Sequence, residues 1–266
     1  MAVIMFYDLE TTGLDPEKCG IHQISGIFVA NGRAVEKFNY RVKPKEGCLC
    51  SEKAMEMAGH TYEEMMASDE YLPMAEVFRK VYDRIIFYCG GLDEKGKIKY
   101  GRKIYTGGYN VHHFDGQFMR QWFLDNGANP SGNPGFEWGW VTSGEIDVQL
   151  LATAALLLQP CGLNIKNYQQ HSVARAFGIK IDESKLHNAL YDVEISFEIY
   201  RYLVKTGCYK PVEYDDFGKS ADQILEERRL KAEHRRSADL VVEERELCNT
   251  KIVENSQVNS EQSVKR

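Results

Sequence analysis

The apolar pattern begins at the first residues. Val3 to Tyr7 is an unbroken aliphatic and aromatic run with the length and content of a strand buried on both faces. It gives way to Asp8 and Glu10, spaced i and i+2, which share one face of a strand. Two carboxylates are therefore expected side by side at the exit of a buried strand. Gly13-Leu14-Asp15-Pro16 punctuates the chain as a turn. His22 to Ala30 reads as a second strand, Asn31-Gly32 as a tight hairpin turn, and Ala34 to Val42 as its partner. The pattern is a three-strand meander whose first strand carries the acids. Helical spacing then takes over. Thr61 with Glu64 three residues later forms a capping-box pattern, and Met74 to Phe87 places Val77, Phe78, Val81, Ile85 and Ile86 on one face, the spacing of a helix laid on a sheet.

Gly90 to Arg102 (GGLDEKGKIKYGR) interrupts the pattern as an exposed loop or hairpin, its basic residues forming either a solvated surface or a phosphate-contacting flap. Ile104 to Tyr109 resumes as a strand, and Phe114 to Asn126 as a helix with Phe118, Trp122 and Phe123 on its apolar face. Gly127 to Trp140 reads as a loop in which Trp138 and Trp140 are packing residues. Ile146 to Leu158 is a short strand running into a helix, broken at Pro160-Cys161-Gly162. Asn164 is placed to cap a helix over Ile165 to Phe177, which Gly178 ends. Asn188 to Lys205 forms the last long helix. A meander followed by alternating strand and helix predicts an α/β fold: a mixed sheet, antiparallel at one edge and parallel at the other, flanked by helices. Residues 1–210 form one domain on this reading. Residues 211–248 form a charged, helical extension with no sustained heptad, and 249–266 a polar, disordered tail.

Composition narrows the class. With 266 residues, 43% of them hydrophobic, the chain can build one core of roughly 200 residues plus an appendage. A net charge of -6 and a pI near 5.7 exclude a broadly basic nucleic-acid binder. An enzyme that reaches phosphate through metal ions stays open, since its site needs acids. The seven cysteines form no paired CxxC set, and Cys48 and Cys50 are the only close pair. That is the usage of a reduced compartment with packing thiols rather than a zinc site. No leader pattern and no apolar stretch approaching about 18 residues is present. The expectation is a soluble, cytoplasmic protein.

The acids at the first strand make the chemical case. Two carboxylates this close repel unless a cation neutralises them, and the segment holds no Lys or Arg, which points to a divalent metal. The plain alternative is a solvated strand end. In the assumed topology strand C-termini gather in one crevice. Asp115, opening the helix after the strand that ends near Asn110, and Asp192, early in the last helix, join the pair there. His187 precedes Asp192 by five residues, about 140° apart on a continuous helix. For both to face one site, His187 must lie on the loop before the helix. Asn110 is placed to cap the following helix, His112 and His113 read as surface residues, and Asp147 reads as a buried structural hydrogen-bonder.

Three segments carry a resemblance: Asp8-Leu9-Glu10-Thr11-Thr12-Gly13, Asn110-Val111-His112-His113-Phe114-Asp115, and His187-Asn188-Ala189-Leu190-Tyr191-Asp192. In order and spacing they resemble the motifs of the DEDDh (DnaQ-like) 3'-to-5' exonucleases, over about residues 1–205. The resemblance implies a ribonuclease-H-like fold and two divalent cations, Mg²⁺ or Mn²⁺, on Asp8, Glu10, Asp115 and Asp192. It implies His187 as general base and Thr11, Thr12, Leu14 and Asn110 as substrate contacts. The activity implied is phosphodiester hydrolysis at single-stranded or frayed DNA 3' ends, of proofreading or repair type, with release of nucleoside monophosphates. A polymerase or another replication protein is a possible partner for the extension. An RNA 3'-end trimming enzyme is the runner-up, and a non-catalytic nucleic-acid or polymerase-binding module is the alternative of another class.

Overall fold

The computed structural model describes residues 2–94, 98, 102–127, 136–157, 165 and 167–205. Five strands, β1 (Val3–Thr11), β2 (Ile21–Ala30), β3 (Arg33–Arg41), β4 (Ile104–Gly108) and β5 (Thr142–Asp147), form one sheet in the order β3-β2-β1-β4-β5. The β1–β2 and β2–β3 pairs are antiparallel, and β1–β4 and β4–β5 are parallel. This is the mixed sheet expected, with the acid-bearing strand at its centre. The helices are α1 (Glu52–Ala58), α2 (Tyr62–Ala67), α3 (Met74–Tyr88), α4 (Asp115–Asp125), α5 (Phe136–Val141), α6 (Val148–Leu157), α7 (Gln170–Ala176) and α8 (Ala189–Lys205).

The sheet has a core on each face, and the two-residue period of β1 sorts its side chains between them. Val3, Met5, Tyr7 and Leu9 pack with Val77, Val81 and Ile85 of α3 and with Phe118, Met119, Trp122 and Phe123 of α4. Phe6 packs on the opposite face with Val193, Phe197 and Ile199 of α8 and with α6 and α7. Each such aliphatic or aromatic side chain contributes about 1.5–3 kcal/mol by leaving water. Asp8 and Glu10 share the parity of Phe6. They therefore project toward the α8 side of the sheet.

Several boundaries differ from the sequence reading, each for a physical reason. β1 runs on through Thr11, so the acids lie within the strand rather than at its exit, paired to Ser25 and Gln23 of β2. Helix α1 was not expected, because none of its residues is buried and it has no apolar stripe; the Ser51 hydroxyl caps it, accepting the Ala54 N–H at 3.2 Å. The stretch expected to be loop up to Trp140 contains α5, and Trp138 is buried within the first core. β5 starts at Thr142, four residues early, in a polar segment that apolar spacing does not reveal. α7 starts at Gln170, so the helix expected from Ile165 is shorter. The Thr61–Glu64 capping box, the αL residues Asn31 and Gly32, and the terminating Gly178 are as read. The Asn164 cap, the Pro160-Cys161-Gly162 break, most of the basic residues of the 90–102 segment and residues 211–266 lie outside the described residues. Among the described residues, no helix is long and apolar enough to cross a membrane.

Candidate active site

β4 is short, and its shortness opens the site. It pairs with β1 only from Ile4 to Phe6, so beyond Phe6 that edge of the central strand has no neighbouring strand. The chain leaves β4 through Asn110, whose φ of 58° suits asparagine better than most residues. The Asn110 carbonyl accepts the His113 and Phe114 N–H groups at 3.2 Å each, and α4 begins at Asp115. There Asp115 Oδ1 accepts the Leu9 N–H at 3.1 Å, taking the place of the missing ladder bond. The opposite wall is α8. His187, at φ 63°, turns the chain into it, and its backbone N–H bonds to the Asp192 carboxylate in the first turn.

These elements enclose a cleft of about 230 Å³ lined by Asp8, Leu9, Glu10, Tyr109, Asn110, Phe114, Asp115, Gln170, His187 and Asp192. Larger hollows of about 510 and 690 Å³ lie elsewhere on the domain. Neither gathers carboxylates of this kind. One carboxylate oxygen from each of Asp8, Glu10 and Asp192 lies within 4.8 Å of the others. Asp115 lines the same cleft with one oxygen committed to Leu9.

The electrostatics state what the cluster lacks. Burial is the largest effect on every member, and for Asp8 and Glu10 repulsion by the other acids of the cluster comes next. Burial, then Asp192 and Asp115, push Glu10 up to about 8. Asp8 is held well above the usual carboxylate range by burial and then by Asp115, Asp192 and Glu10. Burial raises Asp115 to about 8, although the Leu9 N–H and its own N–H oppose the shift, and raises Asp192 to about 6 against its bond from His187. Of the residues lining the cleft, only His187 can carry positive charge. Converging oxygen donors with no cationic side chain fit a hard divalent cation, which removes both the repulsion and the unpaired charge.

The structure brings together all five residues that sequence reasoning assigned to catalysis, and Asn110 with them. It separates the other three. Thr12 is fully buried; its Oγ1 donates to the Leu49 carbonyl at 2.7 Å and accepts the Gly20 N–H at 2.9 Å, so its hydroxyl is engaged by the scaffold. Thr11 Oγ1 closes a local turn onto the Gly13 carbonyl at 2.7 Å. Leu14 stands 83% exposed, outside the cleft lining. Asn110 does not cap α4, whose N-cap is Phe114 without a side-chain bond. His112 and His113 are exposed and line no part of the cleft, as expected. Asp147 is buried and caps α6 through the Gln149 and Leu150 N–H groups, as read. Sequence reasoning missed Phe114, Tyr109 and Gln170. Phe114 lies inside a quoted motif and Tyr109 directly precedes it. Gln170, whose Nε2 donates to the Asp192 carbonyl at 2.7 Å and to Ser196 Oγ at 2.8 Å, carries no local signal.

Residues 5–90 match the family model RNase_T, described as Exonuclease. Among curated proteins, the PolC-type DNA polymerase III of Pediococcus pentosaceus is 25% identical over 213 residues, covering 80% of this chain but 12% of that protein. Among solved structures, the zinc-bound E. coli Exonuclease I complex with single-stranded DNA superimposes with a TM-score of 0.61 at 19% identity, over 79% of this chain and 42% of the other. Exonuclease I of Methylocaldum szegediense gives 0.59 at 20% identity, over 79% and 42%. The chain thus spans less than half the length of these proteins, and the structural likeness establishes the fold.

Proposed function

We propose that this chain is a member of the DnaQ-like exonuclease superfamily and a metal-dependent 3'-to-5' exonuclease acting on single-stranded or frayed DNA 3' ends. The observation that carries the reading is the convergence of Asp8, Glu10 and Asp192 oxygens within 4.8 Å, beside Asp115 and without a Lys or Arg. Asp8, Glu10, Asp192 and Asp115 would hold two divalent cations, with Mg²⁺ or Mn²⁺ favoured by the all-oxygen donor set. When bound, such cations activate water and stabilise the departing 3'-oxygen.

The protein's own residues do the remainder. His187 sits exposed on the turn before α8, pinned at its backbone and free at its ring, and as general base it accepts the proton of the attacking water. Leu9 N–H fixes the Asp115 carboxylate, and Gln170 ties α7 to the turn of α8 that bears Asp192. Phe114 offers an aromatic face at the cleft wall, on which a base can stack. Asn110, Thr11 and the protruding Leu14 are left as the contacts for the terminal nucleotide. DNA is favoured over RNA because the proteins this chain is similar to are described as a DNA polymerase and as binding single-stranded DNA. A proofreading or repair role, with the extension over 211–248 contacting a polymerase or other replication protein, follows the same similarity.

The test is to incubate the purified protein with Mg²⁺ on matched 3'-labelled and 5'-labelled DNA and RNA oligonucleotides. Release of labelled mononucleotide from the 3' end, faster on DNA, is expected. Degradation from the 5' end, or none under Mg²⁺ or Mn²⁺, overturns the assignment, and faster cleavage of RNA replaces the substrate.

A further inference from the structure

Three sulfurs gather just beyond the acid pair, around Thr12. Cys19 is buried, its Sγ 2.6 Å from where a Cβ on Gly13 would stand. Cys48 Sγ lies 3.7 Å from Thr12 Oγ1. The Cys50 thiol donates to the Cys48 carbonyl at 3.9 Å. What assembles them is a parallel bridge between Cys19 and Leu49. Leu49 N–H donates to the Lys18 carbonyl at 2.8 Å, and the Leu49 carbonyl accepts Thr12 Oγ1 at 2.7 Å. Thr12 N–H donates to the Gly20 carbonyl at 2.8 Å, and Ser51 N–H to the Thr12 carbonyl at 2.7 Å. This clamp takes over where the β1–β2 ladder loses register, between Glu10 and Thr11. It holds the strand end that presents Glu10.

We propose that Cys48 and Cys50 form a peroxide-sensitive dithiol, whose oxidation to a disulfide releases the Thr12 clamp and loosens the acid cluster. Residues i and i+2 of an extended segment share a side, but their backbones lie roughly 6.6 Å apart, whereas a disulfide needs Cβ atoms about 3.5–4.5 Å apart. Closing the bond therefore folds residue 49 out of its extended path, which is where the Leu49 carbonyl meets Thr12. Both thiols are half-buried and reachable from solvent; Cys19 is not. Burial and the neighbouring Cys48 push the Cys50 thiol up to about 11, so Cys48 meets the oxidant first. Its sulfur takes one peroxide oxygen as the O–O bond breaks, the other oxygen leaving as water. The Cys50 sulfur then displaces the hydroxyl of the sulfenic acid, its proton leaving with it as a second water. Two thiols and one hydrogen peroxide become one disulfide and two waters.

The link to the cluster rests on reading the acids as a cation site; the thiol chemistry does not. The test treats the full chain with hydrogen peroxide, maps the tryptic peptide 46–53 by mass, and measures Mn²⁺ binding by calorimetry before oxidation, after it, and after dithiothreitol. The expected result is a peptide lighter by two hydrogens and Mn²⁺ binding weakened roughly tenfold, the scale of one lost buried hydrogen bond. Dithiothreitol restores both, and the Cys48→Ser/Cys50→Ser protein binds Mn²⁺ equally with and without peroxide. Peroxide leaving the peptide reduced, pairing through Cys19, or a disulfide that leaves Mn²⁺ binding unchanged overturns the proposal. Absence of Mn²⁺ binding in the reduced protein removes the cation reading and the link, while the peptide mass still decides the dithiol.

Discussion

Two groups of acids sit on this sheet and are treated in opposite ways. On β5, Glu145 is surrounded by donors: Arg120 Nη2 reaches both its oxygens at 3.1 and 3.2 Å, His112 Nδ1 lies 3.1 Å away and Trp138 Nε1 donates at 3.4 Å. Asp147, two residues on, accepts three backbone N–H groups. The first turn of α4 packs so closely here that a Cβ on Gly116 would lie 2.6 Å from Glu145 Oε1. Across the sheet, Asp8, Glu10 and Asp192 face one another, with only His187 among the cleft residues able to carry positive charge. Satisfied acids are scaffold. Acids left in mutual repulsion, at a cost to the fold, are the arrangement that a bound cation would relieve.

The largest separation between the groups should come from Asp8→Ala, which should lower cleavage by at least about 10³-fold, since several kcal/mol of charge stabilisation goes with the cation. Calorimetry should show Mn²⁺ affinity lost in a protein that still unfolds cooperatively; near-normal turnover refutes the division. His187→Ala should follow, at about 10² to 10⁴ in single-turnover rate. Only neutral imidazole accepts a proton, so the wild-type pH profile should carry a rising limb that the mutant loses at equal metal saturation. An unchanged limb and a loss below about threefold assigns the ring a structural part.

The scaffold acid should behave in reverse. Glu145→Ala should cost about 1–3 kcal/mol in denaturant unfolding while Mn²⁺ affinity stays within about threefold of wild type. The lower end is favoured, because Arg120 is a third exposed and water can take over its charge. A metal-free acid cluster also sets a pH signature. Glu10 and Asp115 titrate near 8 and Asp192 near 6 when folded, against about 4 when unfolded. Raised carboxyls contribute stability that is complete below about pH 4 and is lost as pH rises through 6 to 8. The metal-free melting temperature should therefore fall between pH 5 and 8.5, Glu10→Gln should flatten part of that fall, and saturating Mg²⁺, which binds the deprotonated form, should oppose it. A metal-free melting point rising over that interval would show the carboxyls are not raised. Smallest of all, ending the chain after Lys210 should leave melting and cleavage of short oligonucleotides unchanged; loss of cooperative unfolding would show that the rest of the chain docks on the domain.

What could be read in advance was whatever local spacing controls. The apolar run before Asp8, the Asn31-Gly32 turn and the Thr61–Glu64 box are each decided within a few residues, and the mixed sheet follows from their succession. The acid cluster was legible because two of its members are neighbours on one strand and the others open helices. Elements whose stability comes from elsewhere were hidden: α1 buries nothing, and β5 begins in a polar segment held by β4. Thr12 shows the limit most sharply. Its position beside the acids suggests substrate, while its hydroxyl is consumed by Leu49 and Gly20, contacts set by how distant segments meet.

The order of the strands also sets a timetable. β1, β2 and β3 leave a ribosome together and can pair at once, but the Leu9 N–H waits for a carboxylate 106 residues later, and Asp192 follows Asp8 by roughly ten seconds or more at usual elongation rates. A chain still being made therefore carries Asp8 and Glu10 without the rest of the cluster. On the proposed function, competence for cutting would arrive as a single late event, when α8 settles on the sheet.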